Sequence, residues 1–446
     1  MSFFNNIFEY IFLPINDIVT GQSVYRHLHF LNSSQYWTRE QINNYQITKL
    51  RQLILHAVST VPYYRELFSG LGLHPEDIQK PEDLHKIPIL TKATIQKKGI
   101  DIFTSTGISR SDRIQSSSSG STGEPLFYYN TKDAYSMNLA SSLRGWYWMG
   151  YRLGDNYIKL SQNPRNMPIK RIQDKMSRNL YLATNPLNDS NFEFILKEIE
   201  RYKPKIIRCY PDPLLFLARY KQNRSEFSYK PQAITTTGNT LYSATRAEIE
   251  AAFGCKIFDS YSCEGNSTVF ECPTHTCYHS AEEYGISEIL DDAGNSITSG
   301  VGRLVSTDLW NLAHPFIRYD TQDYVETDET LCTCGRKHLR IKNILGRDNE
   351  VLTIETGRRF IVHSFTGFFQ VDTPQIKRSI DQFQVIKTKD GTICFRLVVN
   401  YNYDKAVGDY ILNYWMNELK TKVVIEITEK IPLTAGGKRR FIINEL

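Results

Sequence analysis

The sequence predicts an α/β protein with a large N-terminal domain built on parallel sheets and a small α+β unit at its C-terminal side. Three observations lead there. Between about residues 155 and 260, short apolar runs alternate with segments of helical period, the rhythm of a parallel sheet crossed by helices. From about residue 285 the runs shorten and glycines multiply, as in a β-rich subdomain. The last hundred residues carry their own order of strand, turn, strand, helix and strand.

Residues 1–100 read as a helical layer. Ile47, Leu50, Leu53, Ile54 and Ala57 recur at helical spacing over 46–57, and Pro62 marks that helix's end. A buried strand is expected at 126–129 and a long helix at 133–150. Strands follow at 157–160, 206–210, 233–236 and 256–259, with helices at 191–202 and 243–253; Pro211 breaks the second strand. Residues 288–290 and 302–306 fit hairpin strands. Gly346-Arg347 marks a boundary, beyond which strands at 384–387 and 393–399 flank Asp390-Gly391, before a helix at 405–420 and a strand at 423–428. The expected division is 1–346, containing the helical layer and a β-rich subdomain at 285–345, and a lid at 347–446.

Composition narrows the function classes. With 446 residues, 41% hydrophobic and 23% charged, the chain fits an ordinary globular protein of two or three domains. A net charge of +5 spread over this length does not argue for nucleic acid. No apolar run approaches the ~20 residues of a membrane span. The apolar stretch 3–15 carries Glu9 and lacks a basic lead and a cleavage site, so it does not read as a signal peptide. It could lie on a membrane surface, but docking on its own domain is the expected role. Four of the eight cysteines sit in two close pairs, which suggests metal ligands in a reducing cytoplasm rather than disulfides.

The chemistry is concentrated in five stretches. Ser116 to Pro125 reads S-S-S-S-G-S-T-G-E-P. Two glycines let the backbone turn its N–H groups around an anion, and the hydroxyls add donors. We read a loop that holds nucleotide phosphates, distinct from a Walker loop because no Gly-Lys-Ser/Thr closes it. The second stretch, Asp259-Ser260-Tyr261-Ser262-Cys263-Glu264, follows a strand, with an aromatic to stack on a purine and a carboxylate to hold a divalent cation. In the third, His314 to Asp323, Arg318 supplies a cation and Asp323 a carboxylate for ribose hydroxyls. The fourth is Gly346-Arg347-Asp348-Asn349. The fifth, Pro432 to Arg440, presents Lys438 beside two glycines, a flexible ammonium suited to charge developing at a phosphate.

In this order the five stretches resemble the adenylate-forming superfamily, and within it the phenylacetate–CoA ligase family and its capsule and surface-polysaccharide branch. The resemblance spans nearly the whole chain, including Val61-Pro62-Tyr63-Tyr64-Arg65 and Ile87-Pro88-Ile89-Leu90-Thr91-Lys92. It implies that Ser118, Ser119, Gly120, Ser121, Thr122 and Gly123 hold phosphates. It places Tyr261 by the adenine with Ser262 in the same nucleotide site, Glu264 near Mg²⁺ and the phosphates, and Asp323 and Arg347 by the ribose. Lys438 would be the adenylation lysine and Asn349 a hinge. Tyr210, Thr237 and Asn239 are candidates for the acid pocket. The chain departs from the pattern in a shortened Tyr-Ser-Cys-Glu, in Gln322 for glycine, in Asn239 for glutamate, and in having no lysine after Pro125.

The implied reaction is ATP-dependent activation of a carboxylic acid, with transfer of the acyl group to an amine, hydroxyl or thiol. The expected acid is a sugar acid such as a uronate, or a small acyl group; the expected setting is capsule biosynthesis, and coenzyme A is one candidate acceptor. The alternatives are an aryl-acid–CoA ligase and a nucleotide-binding scaffold without turnover. Cysteines and histidines in two clusters, 272–279 and 332–334, fit a closed structural zinc site; the resemblance implies Cys272, His279, Cys332 and Cys334 as its ligands, with Cys277 or His275 as substitutes.

Overall fold

The computed structural model describes residues 3–117, 126–161, 164–165, 167–222, 224–263, 268–347, 351–354, 358–361, 365, 368–369, 374–432 and 440–445. Strands β1 (Arg113–Ser117) and β2 (Phe127–Thr131) form an antiparallel hairpin. The expected buried strand is thus the second arm of this hairpin, and it is less buried than its apolar letters suggest. Leu126 is buried, but Phe127 is half exposed because the pair forms a small sheet of its own.

The main sheet is built from β3 (Tyr157–Ser161), β4 (Asn179–Ala183), β5 (Ile206–Cys209), β6 (Ala233–Thr237), β7 (Lys256–Ser262), β8 (Thr268–Glu271), β9 (Tyr278–Ser280), β10 (Gly285–Leu290), β11 (Gly300–Asp308), β12 (Tyr319–Thr327) and β13 (Arg340–Arg347). Its order is β10-β11-β12-β13-β9-β8-β7-β6-β5-β3-β4. Pairing is parallel from β3 to β7, where helices make the crossovers, and antiparallel from β7 onward. The glycine-rich strands after residue 285 continue this sheet through the pairing of β13 with β9.

Prolines begin helices here more than they end them. Pro62 opens the helix Pro62–Leu71 and Pro211 opens Pro211–Gln222, each at a first-turn position where proline's missing N–H is not needed. The helix before Pro62 starts at Arg39, seven residues ahead of the apolar period. Its start is fixed by a capping box in which Thr38 Oγ1 accepts from Gln41 N and Gln41 Oε1 accepts from Thr38 N. The helix Lys132–Trp148 lies close on the sheet because Gly145 has no side chain. A Cβ there would sit 2.2 Å from the Phe270 ring.

Glu283 ties the helical layer to this core. It is fully buried, accepts from Arg144 Nη1 at 2.8 Å and Ser34 Oγ at 2.5 Å, and lies 3.0 Å from His338 Nε2. Burial alone would raise its pKa, but Arg144 and His338 outweigh that and hold the carboxyl well below the usual range. Residues 3–20 dock on the same layer as a helix, a π turn and a helix (Phe3–Ile7, Phe8–Phe12, Leu13–Thr20). They dock through polar side chains: Asn5 donates to Leu153 O, and Glu9 accepts from the Tyr147 hydroxyl.

The C-terminal unit has two further sheets. β14 (Val351–Thr353) pairs with β15 (Arg359–Ile361). β16 (Ile380–Lys387), β17 (Ile393–Val399), β18 (Val423–Ile427) and β19 (Ile442–Asn444) stand in the order β18-β17-β16-β19. The helix Lys405–Leu419 covers them with Val407, Ile411 and Trp415, over Phe365, Phe369, Phe383 and Phe395. Tyr242, from the main part of the chain, joins this core through an edge contact with Phe441 at 5.4 Å.

Candidate active site

Three parallel strands end side by side and carry candidates at their carboxyl ends, where α/β sheets place ligands. Tyr210 follows β5, Thr237 ends β6, and Tyr261 and Ser262 end β7. Gly238 turns with φ +83°, and a Cβ there would meet the Tyr210 ring at 2.7 Å. The ring therefore packs flat on that turn, as glycine alone allows. Beyond the turn, Asn239 Nδ2 donates to Asp212 Oδ2 at 2.8 Å, so Tyr210, Thr237 and Asn239 do gather at one place.

Tyr261 and Asp323 lie 62 residues apart and meet: the Tyr261 hydroxyl donates to Asp323 Oδ2 at 2.6 Å. Burial first, and the Asp323 carboxylate second, keep the phenol well above its ordinary pKa, so it stays a donor. Asp323 is paired in register with Arg347 across β12 and β13, which brings the Gly346-Arg347 backbone beside it.

Asp323 owes its position to the helical layer. The Tyr64 hydroxyl donates to Pro315 O at 2.9 Å and accepts from Ile317 N at 3.1 Å. Leu90 N donates to Arg318 O, and Asp320 N donates to Leu90 O, both at 2.9 Å. The N-terminal Pro-Tyr-Tyr and Ile-Pro-Ile-Leu segments, whose chemistry the sequence left open, therefore clamp the segment leading to Asp323. Arg318 needs a correction. It is buried, with Nε 3.1 Å from both Glu288 oxygens and Nη1 donating to Ile87 O at 2.7 Å, so it is a tie between layers and not a cation offered to ligand.

The β1–β2 hairpin bears the phosphate-loop sequence at its tip. It is held against the same segment: Asn311 Nδ2 donates to Tyr129 O at 2.9 Å, and Tyr128 packs edge-on to Phe316 at 5.2 Å. Residues Ser118, Ser119, Gly120, Ser121, Thr122, Gly123, Glu264, Asn349 and Lys438, and the side chain of Arg347, lie outside the described residues.

Beneath Tyr261 is a polar network that the sequence did not announce. Asp259 accepts from Thr236 Oγ1 at 2.6 Å and Tyr278 OH at 3.0 Å, while Glu271 Oε2 accepts from Asp259 N and Arg246 Nη2, both at 2.8 Å. It locks β6, β7, β8 and β9 in register below the candidate nucleotide residues. Burial pushes the Asp259 carboxyl up to about 7. The signal available was an aspartate inside an apolar strand, which must find partners.

The cysteine cluster sits where the β8–β9 and β12–β13 loops meet. Among the described residues, the donor atoms of Cys272, Cys277, His279 and Cys332 all lie within 4.8 Å of one another. Cys272 Sγ is 3.6 Å and Cys277 Sγ 3.8 Å from Cys332 Sγ, and all are free thiols. Two thiolates on a tetrahedral zinc with ~2.3 Å bonds stand about 3.8 Å apart. The side chains present therefore fit a closed Cys₃His site. This quartet has Cys277 where the sequence reading had Cys334; the Cys334 sulfur stands at the same cluster, 3.2 Å from His279 Nε2. His275 turns away, its Nδ1 3.1 Å from Glu271.

This fold is that of the adenylate-forming ligases. The chain superposes on a 2-hydroxyisobutyryl-CoA ligase in the postadenylation state, in complex with R3-HIB-AMP, with a TM-score of 0.74 at 16% identity, covering 92% of this chain and 91% of that one. Sequence comparison adds narrower likenesses. Residues 359–445 match the CapK C-terminal domain. The chain is 26% identical to protein CapK of Staphylococcus aureus over 86% of its own length and 85% of that protein's. It is 23% identical to the phenylacetate-coenzyme A ligase of Thermus thermophilus over 91% and 97%.

Proposed function

We propose that this protein activates a carboxylic acid with ATP, forming an acyl-adenylate, and passes the acyl group to an amine, hydroxyl or thiol acceptor in surface-polysaccharide assembly. The observation that carries the reading is the Tyr261–Asp323 contact at the strand ends, beside the hairpin that bears the serine–glycine loop. In this reading the loop Ser118–Gly123 donates to the phosphates, Tyr261 flanks the adenine with Ser262 in the same nucleotide site, and Asp323 and Arg347 hold the ribose. Glu264 holds Mg²⁺.

A carboxylate oxygen of the acid attacks the α-phosphorus, the bond to the β-phosphate oxygen breaks, and pyrophosphate leaves with that electron pair. Lys438, carried on the lid 347–446 and swung in about Asn349, neutralises the charge that develops there. The acceptor then attacks the acyl carbon, AMP leaves with the bonding pair, and the acceptor's proton passes to solvent. Catalysis on this account is positioning and charge neutralisation. Tyr210, Thr237 and Asn239 line the acid's end.

Zinc would be held by Cys272, Cys277, His279 and Cys332, pinning two loops of the main sheet. A filled Cys₃His shell leaves no open position, so its contribution is stability. The likeness to phenylacetate-coenzyme A ligases favours coenzyme A and an aryl acid as a second reading.

The test is acid-dependent pyrophosphate release over a panel that includes sugar uronates and phenylacetate, with and without coenzyme A. Release with one acid class, abolished in Lys438→Ala while ATP still binds, is the expected result. ATP binding without release for any acid would mean a scaffold, and a CoA thioester of phenylacetate as product would establish the second reading. Elemental analysis should find about one zinc per chain, and none would dispose of that site.

A further inference from the structure

We propose that the segment Phe3–Thr20 is a docking face that seats the protein on an anionic lipid surface. Its helical stripe Asn5, Glu9, Leu13, Asp17 recurs every fourth residue and faces the protein, and the three polar members are only 2–7% exposed. Each is bound: Asn5 Nδ2 to Leu153 O and Asp155, Glu9 to the Tyr147 hydroxyl, and Asp17 Oδ2 to Tyr25 N. The opposite side presents Phe3, Phe4, Tyr10, Ile11, Phe12, Ile15, Ile18 and Val19 at 49–81% exposure.

This is the reverse of a helix in a soluble monomer, which buries its apolar stripe. Contiguous apolar patches of this kind mark an interaction surface. Charge selects the occupant. Glu9 and Asp17 are the only charged residues in the segment, and both point inward, so no carboxylate of the segment would oppose anionic headgroups.

The segment's end is bordered by cations. Lys132 Nζ would lie 3.3 Å from a Cβ on Gly21, which closes the helix, and Arg26 on the next helix is 69% exposed and shares Asp133 with His27. Shape agrees. Three consecutive helical pieces make a face about 27 Å long at ~1.5 Å per residue. A bilayer interface accepts such a face lengthwise, whereas a protein partner must supply a matching groove. Tied to the protein along its polar stripe, the segment would lie in the plane of the surface.

The test is flotation of the full chain with phosphatidylcholine vesicles, with and without phosphatidylglycerol. The variants are Ile11→Ser/Ile15→Ser/Ile18→Ser, which touches only outward side chains, and Lys132→Glu. Thermal melts would show that both variants fold. Wild type should float with the anionic vesicles, the triple variant should bind about tenfold less or worse, and Lys132→Glu should fall between. No flotation of wild type, equal flotation on neutral vesicles, or equal binding by the triple variant would each overturn the proposal. So would a concentration-dependent dimer abolished by the triple variant, which would mean a second copy covers the face. None of these readouts depends on acid activation.

Discussion

Gln322 stands where the related motif has glycine, and its backbone keeps a conformation that favours glycine, with φ at +61°. A side chain there is strained by roughly 1–2 kcal/mol, part of which the floppier unfolded chain offsets when glycine is restored. Gln322→Gly should therefore raise stability by about 0.5–1 kcal/mol in a denaturant melt, without disturbing Asp323 beside it. Tyr261→Phe should do the opposite to function. It deletes the hydroxyl that donates to Asp323 and should weaken ATP binding about tenfold in calorimetry, the worth of one hydrogen bond to a charged group. Tyr261 and Asp323 stand out in the sequence because each sits in a short stretch whose residue types suit a nucleotide, and the fold adds that the two side chains meet. Arg318 was misread because sequence does not show that Glu288, thirty residues earlier, faces it across a buried gap.

At the scale of elements, what was read well was periodic and local, and what was missed was set by a cap, a turn or a distant strand. The helix at Arg39 announces itself by Thr38-x-x-Gln41, a signal independent of apolar period. Pro211 read as a strand breaker because β5 precedes it, yet it opens a helix. The antiparallel half of the sheet was legible only as short strands, since their order depends on pairings such as β13 with β9 that cross long loops. The hairpin β1–β2 shows how such an element is held. Asn311 donates to Tyr129 O from a loop that Asp308 caps by accepting from Trp310 N and Asn311 N. Asn311→Ala should cost about 1–2 kcal/mol of stability through the lost bond to the half-buried Tyr129 carbonyl. If the hairpin tip holds phosphate, the same variant should raise the KM for ATP more than it lowers kcat.

For the molecule as a whole, three buried carboxyl groups set an uncommon pH response. Asp259 and Asp308 are both pushed up to about 7 by burial, whereas Arg144 and His338 hold Glu283 well below its usual range. The signs differ. Between about pH 4 and 7 the folded protein keeps protons on Asp259 and Asp308 that the unfolded chain has released, so stability falls as pH rises through that window. Glu283 works the other way: its contribution is present above about pH 4.5, the unfolded value, and is lost as pH falls toward the folded one. Stability should therefore peak near pH 4 and decline toward pH 7 in a series of chemical melts. Asp259→Asn imitates the protonated acid within the same network of Thr236 and Tyr278. It should gain roughly 3–4 kcal/mol over wild type at pH 8, lose that advantage by about pH 4, and so flatten the alkaline side of the curve. An unchanged slope in Asp259→Asn would mean that Asp259 is ionised in the folded protein across the whole range, held so by the Thr236 and Tyr278 hydroxyls against its burial.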